Sequence, residues 1–174
     1  MKYIIILILT LLCQLIVAQE NADQEFYPDR LKNHPLGAIS ERYQLTLTGY
    51  FDDCGEFGGH KEIIRLKREG KELIATLTIY EKDCNRRSGY EEIKITEQKT
   101  YKISDEKVSL FSEYLGKLLT MSLRQSFPFH AGRHYYAVLG FEGEETRFRN
   151  IDLHYHDTDW SWTEFEKLKE NIIK

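Results

Sequence analysis

Ile63-Ile-Arg-Leu-Lys-Arg-Glu-Gly-Lys-Glu-Leu-Ile-Ala-Thr-Leu-Thr-Ile-Tyr80 is the stretch that decides how this chain folds. Ile63–Lys67 and Leu73–Tyr80 are short runs rich in Ile, Leu and Thr, and Glu69-Gly70 between them is a turn signal. Two such runs across a short glycine-containing turn predict a β-hairpin. A two-residue turn at Glu69-Gly70 sets Leu66 opposite Leu73 and Ile64 opposite Ala75 on one apolar face. A slip of one residue would bring Arg65 against Leu73 and spoil that face.

Working outward, Cys54 and Cys84 flank the hairpin but fall one residue out of this register. One extra residue in the first strand, a β-bulge at Gly58-Gly59, would absorb the difference and bring the cysteines opposite each other. A bond between them would staple the open end of the hairpin. Closing a loop of about 30 residues stabilises a fold by roughly 3–4 kcal/mol on the chain-entropy argument.

Whether two cysteines pair depends on compartment, and the chain start speaks to that. Lys2 gives a positive beginning, Ile4–Val17 is almost wholly apolar, and Ala18 is a small residue at the end of the run. That is the order of a cleavable secretory signal over residues 1–18. The apolar run, at about 15 residues, is shorter than the roughly 20 that a membrane-spanning helix needs. Leu12 precedes Cys13 where a lipoprotein signal wants a small residue, so Cys13 is read as discarded with the signal. Two cysteines then remain for an oxidising compartment, where one disulfide is the simplest outcome.

Loss of Lys2 lowers the basic residues from 24 to 23 against 28 acidic ones, so the net charge moves from −4 to −5. A mildly acidic, mixed-charge surface argues against nucleic acid as the partner. Residues 19–40 carry no periodic pattern and read as an irregular N-terminal arm; residues 41–174 read as a single domain.

In that domain Tyr43–Tyr50 alternates as a strand with Tyr43, Leu45 and Leu47 on one face. A fourth strand is expected over 91–103. From Ser104 the period changes: Val108, Phe111, Tyr114, Leu115, Leu118 and Leu119 recur at helical spacing, so Asp105 to Leu123 is an amphipathic helix capped by Ser104. His134–Phe141 and Glu145–His154 predict a second hairpin around Gly143. The last helix carries Ser161 as its expected cap with Glu164 three residues on, Trp160 stapled against Phe165, and Phe165, Leu168 and Ile172 facing the core. Strands joined by tight turns, with helices after the strand runs, predict an α+β fold. It consists of a mainly antiparallel sheet of about six strands with two amphipathic helices, which either cover one face of the sheet or pack at its opposite ends.

Two constellations could carry chemistry. Asp152, His154 and His156 project from one face if their strand continues, and two imidazoles with a carboxylate are ligands for Zn²⁺ or a related ion, with Asp157 or Asp159 adding an oxygen. His130 and His134 begin the same hairpin. The second is the loop bearing Asp52, Asp53, Glu56 and His60, whose carboxylates and imidazole suit proton transfer or cation binding. The aromatics Tyr135, Tyr136, Trp160 and Trp162 are expected in the core. No nucleophile elbow, phosphate-binding loop or dinucleotide fingerprint occurs.

The expectation is therefore an exported protein, periplasmic or extracellular. It is read as a non-catalytic interaction module of the inhibitor or immunity kind, whose partner is another protein. No cofactor, no nucleic acid and no permanent membrane anchor are expected. The alternative is a metal-dependent hydrolytic enzyme holding a divalent transition metal around His154 and His156.

Overall fold

In the computed structural model the described residues are 36–55, 58–84, 94–124, 132–141 and 151–174. Six strands run in the order β1 (Tyr43–Phe51), β2 (His60–Glu69), β3 (Glu72–Tyr80), β4 (Ile95–Ile103), β5 (Arg133–Phe141) and β6 (Ile151–Asp157). Helix α1 (Asp105–Ser122) follows β4, and α2 (Glu164–Ile173) ends the chain. All neighbouring strands are antiparallel, in the spatial order β4-β3-β2-β1-β5-β6. This is the α+β arrangement that the sequence pattern predicts.

Period-two alternation divides the sheet into a face that the two helices cover and a face over which no described helix lies. Leu45, Leu47 and Phe51 of β1, Ile64 and Leu66 of β2, Leu73, Ala75 and Leu77 of β3, and Tyr135, Ala137 and Leu139 of β5 are buried together. The helices meet them with Val108, Phe111, Tyr114 and Leu118 of α1 and Phe165, Leu168 and Ile172 of α2, each set at helical spacing. Phe165 is the hub: its ring lies 6.1 Å from that of Phe51, 6.2 Å from Tyr114 and 5.9 Å from Tyr135. On the other face β2 presents Lys61, Ile63 and Arg65, β1 presents Thr48 and Tyr50, and β5 and β6 present His134, Tyr136, His154 and His156.

The β2–β3 hairpin exists, but its register differs from the expected one. Leu66 pairs with Ala75 and Ile64 with Leu77, two residues away from the pairing that a Glu69-Gly70 turn imposes. The turn is Gly70-Lys71, closed by Glu69 and Glu72. Gly70 takes φ +60° while Lys71 stays out of the positive region. That is the type II′ pattern, in which glycine occupies the first central position. A shift of two residues keeps every side chain on its face, so hydrophobic pattern alone cannot distinguish the two registers.

Cys54 and Cys84 do form a disulfide, with Cα atoms 5.5 Å apart. The route is not the expected bulge in β2. Phe51 pairs with His60, so Cys54 belongs to the loop closing the β1–β2 hairpin. That loop turns on hydrogen bonds from the Gly55 amide to the Asp52 carbonyl (2.8 Å) and from the Cys54 amide to the Gly58 carbonyl (3.0 Å). Gly59 bridges to Asp83 one residue out of step with the β2–β3 ladder, and the additional residue lies on the β3 side. The disulfide thus ties the β1–β2 loop to the chain just beyond β3.

Two details of the last helix also differ. Thr163, not Ser161, occupies the N-cap position, and it makes no side-chain cap hydrogen bond. Trp160 does not staple against Phe165: it is 51% exposed, whereas Trp162 is buried. α1 starts as expected after Ser104 with Asp105 and Glu106 in its first turn. Within the range read as an irregular arm, Ile39 is 1% exposed, and the compact unit begins at that residue. The signal segment, most of the arm and the turn of the second hairpin lie outside the described residues.

Candidate functional site

The end of the sheet where β1, β3 and β6 finish and β2 and β5 begin collects the special residues of the chain. The β1–β2 loop is held there by the disulfide and by Lys82, whose ammonium donates to the Asp53 carbonyl at 3.3 Å. Beside it the segment after β6 turns sharply into α2. Asp157, fully buried, drives that turn: its carboxylate accepts the amides of Ser161 (3.3 Å) and Trp162 (2.9 Å) and the Tyr155 hydroxyl (3.4 Å). The turn forces Trp160 to φ +53°, a region that side chains with a Cβ seldom adopt. Trp160 faces solvent, and its indole N–H donates to both carboxylate oxygens of Asp52 at 2.9 and 3.0 Å.

The expected loop of Asp52, Asp53 and His60 is assembled here, while Glu56 lies outside the described residues. His60 is enclosed on both sides. Its Nδ1 hydrogen-bonds Asp53, its Nε2 lies 3.4 Å from Glu62, and its ring stacks on Phe51 at 4.6 Å. Glu62 is buried and in turn held by Lys169 of α2, at 2.7 and 2.6 Å from its two oxygens. Partial burial works against the Asp53 charge, but the hydrogen bond and charge of His60 outweigh it and hold the carboxyl below the usual aspartate value. Both ring nitrogens of His60 thus face carboxylates of the protein itself. Arg133 closes the cluster, stacked over Phe51 at 5.4 Å and paired with Glu166 at 3.2 Å.

Tyr114 and Tyr135 sit behind this end. Burial pushes both phenols above the ordinary tyrosine range, and neighbouring Glu166 adds to the effect, so both remain protonated.

The second constellation is partly brought together. β6 runs to Asp157, so Asp152, His154 and His156 share one face, the one opposite the helices. Asp157 projects to the covered face, where its oxygens serve the turn, and it does not join the histidines. The residue that does join them is His134 of β5. Its Nδ1 lies 3.1 Å from Nε2 of His154, and its ring stacks on that of His156 at 4.0 Å. Tyr136 stacks on His154 at 4.4 Å and meets Tyr50 edge-on at 5.7 Å. Partial burial, followed by the neighbouring His156, holds the His154 imidazole below the usual histidine value, with Asp152 pulling the other way. Among the described residues, no group of three or more His, Cys, Asp or Glu side chains is arranged to share one metal ion.

The residues that pattern reading assigned elsewhere are Trp160 and Asp157. Trp160 and Trp162 lie in a segment that is neither strand nor helix, so no period says which of them turns in. Their common signal was the acidic run Asp157-Thr-Asp159 directly before a tryptophan, at the point where a strand must end. The chain matches no family model, no curated protein sequence and no solved structure.

Proposed function

We propose that this chain is an exported recognition module that holds another protein at the disulfide-pinned end of its sheet, with Trp160 as the anchor. One observation carries the reading: a half-exposed tryptophan is held in a strained backbone conformation and fixed by a carboxylate. Strain of that kind costs about 1–3 kcal/mol and persists where the surroundings over-determine it, often at functional positions. Tryptophan is the residue most enriched among binding hot spots, and a side chain already fixed in place loses little further freedom on binding. The disulfide pins the loop that carries Asp52, and so pins the partner of the indole.

The chemistry of the neighbouring groups supports binding over catalysis. The groups suited to proton transfer in this cluster, His60 with Asp53 and Glu62, face one another and Lys169. The Lys2–Ala18 segment, read as a cleavable signal, supports export, and an oxidising compartment suits the Cys54–Cys84 bond. Recognition of a protein partner by such a small pinned domain fits an inhibitor or an immunity protein.

The test is site-specific photocrosslinking in the exporting cell. A photoreactive residue at Thr158 should give a discrete adduct with a second protein, and one at Lys71, in the far hairpin turn, should give none. Trp160→Ala should abolish the Thr158 adduct while leaving the fold intact by circular dichroism. Equal labelling at both positions, or an adduct indifferent to Trp160→Ala, would rule the reading out.

A further inference from the structure

We infer that the polar knot formed by Tyr114, Arg133, Trp162 and Glu166, behind the pinned end, is a binding site for internal water. Four side-chain atoms are buried there: the Tyr114 hydroxyl of α1, Arg133 Nε of β5, the Trp162 indole nitrogen and Glu166 Oε2 of α2. Among the described residues none of these atoms has a hydrogen-bond partner. Buried polar atoms in folded proteins are paired with other protein groups or with ordered water, because an unpaired one gives up its hydration for nothing in return.

The four belong to one place. The Tyr114 and Trp162 rings are 6.2 Å apart, and Tyr135, also 6.2 Å from Trp162, donates its hydroxyl to the Trp162 carbonyl at 3.3 Å. Arg133 Nη1 donates to Glu166 Oε1 at 3.2 Å, a bond that engages neither Nε nor Oε2. The Glu166 charge acts on the phenols of both Tyr114 and Tyr135, so the carboxylate stands close to both. The rings are also fixed. Tyr114 is 2% and Trp162 7% exposed, and the Trp162 amide is held by Asp157 at 2.9 Å. Neither side chain can turn its polar atom to solvent without leaving the core.

The hydrogen-bond inventory selects the ligand. Arg133 Nε–H and Trp162 Nε1–H only donate, the Glu166 carboxylate only accepts, and the Tyr114 hydroxyl does either. Water both accepts and donates, and an internal water typically makes about three hydrogen bonds. An anion would meet the charge of Glu166, and a cation that of Arg133. The rings walling the knot are in edge contact, which suits a water and leaves no space for an organic molecule. Arg133 and Glu166, with side chains 29% and 30% exposed, stand at its mouth and give water a way in. Water bound there joins α1, β5 and α2. The site does not depend on Trp160 or on the proposed partner.

The experiment is magnetic relaxation dispersion of water oxygen in a solution of the purified chain. It counts waters that stay bound for longer than the protein takes to tumble, and it is blind to exchanging hydroxyl protons. The parent should show long-lived water. Tyr114→Phe, which keeps the ring and removes the hydroxyl, should lose about one such water per chain, the number whose bonding capacity matches the knot. Where that variant does not fold, Glu166→Met at the mouth serves instead, with the same expected loss. Tyr50→Phe, on the face opposite the helices, should lose none. Absence of long-lived water in the parent, or an unchanged signal in the folded knot variant, overturns the site; an equal loss in Tyr50→Phe overturns its location.

Discussion

Asp157 is the residue on which the pinned end turns. Its carboxylate is fully buried, yet every hydrogen bond it makes is local: two amides within five residues and the hydroxyl of Tyr155. A charged acceptor contributes about 1.5–3 kcal/mol per hydrogen bond, and removing it strands buried donors. Asp157→Ala is expected to destabilise the domain by about 3 kcal/mol in urea unfolding, and Asp157→Asn, which keeps an acceptor, by about 1 kcal/mol. Similar costs for the two variants would mean that the hydrogen bonds are not what holds the turn. Asp157 also illustrates the limit of reading residues singly. Its type and its place beside His154 and His156 suit metal ligation. Which face it takes depends on where β6 ends, and alternation then sends it away from them. His134, by contrast, is remote in sequence and becomes a neighbour of His154 only through the β5–β6 register.

At the scale of elements, α2 is attached by packing and by charge. Phe165 is fully buried against Phe51, Tyr114 and Tyr135, so Phe165→Ala is expected to cost about 3–5 kcal/mol, the range for deleting a core aromatic ring. A loss below about 1 kcal/mol in chemical denaturation would place the helix outside the cooperative core. Glu164 adds an electrostatic link, bonded to Lys117 of α1 and to Lys167 of its own helix. The hydrogen bond from Lys117, then that from Lys167, holds the Glu164 carboxyl below its ordinary value of 4.5. A folded-state pKa lower than the unfolded one contributes stability above the unfolded value, and that contribution is lost as pH falls through the folded value. Urea midpoints should therefore decline from about pH 5 downward, and Glu164→Gln should flatten that decline. An unchanged acid limb in Glu164→Gln would remove the link.

The same scale separates what composition reveals from what it hides. Helices α1 and α2 were legible because their apolar residues recur every three or four positions along their 18 and 10 residues. The register of β2 on β3 was not. A strand repeats every two residues, so registers two apart satisfy the same apolar pattern, and only the handedness of the Gly70-Lys71 turn decides between them. The capping position at Thr163 was equally hidden, because Ser161 and Glu164 match a capping box in sequence while the Asp157 turn carries Ser161 outside the helix.

For the whole molecule, the one-sided helical cover and the disulfide belong to different parts of the stability. The core lies between the sheet and the helices, whereas the Cys54–Cys84 bond fastens a loop end outside it. Such a bond acts mainly on the unfolded chain: closing a loop with a sequence separation of 30 is worth about 3–4 kcal/mol. Domains of this size are usually stable by about 5–15 kcal/mol, so the core can hold the fold without the bond but with much less margin. The Cys54→Ser/Cys84→Ser double variant should therefore fold, with unfolding free energy lower than that of the oxidised parent by about 3–4 kcal/mol. The loosening should begin at the pinned end. The Asp83 amide, bonded to the Gly59 carbonyl at 2.9 Å, should exchange with solvent much faster in the variant, while amides in the centre of β1 follow only the global change. Equal urea midpoints for parent and variant would mean that the bond contributes nothing to the fold, and would remove the reason for tying this structure to an oxidising compartment.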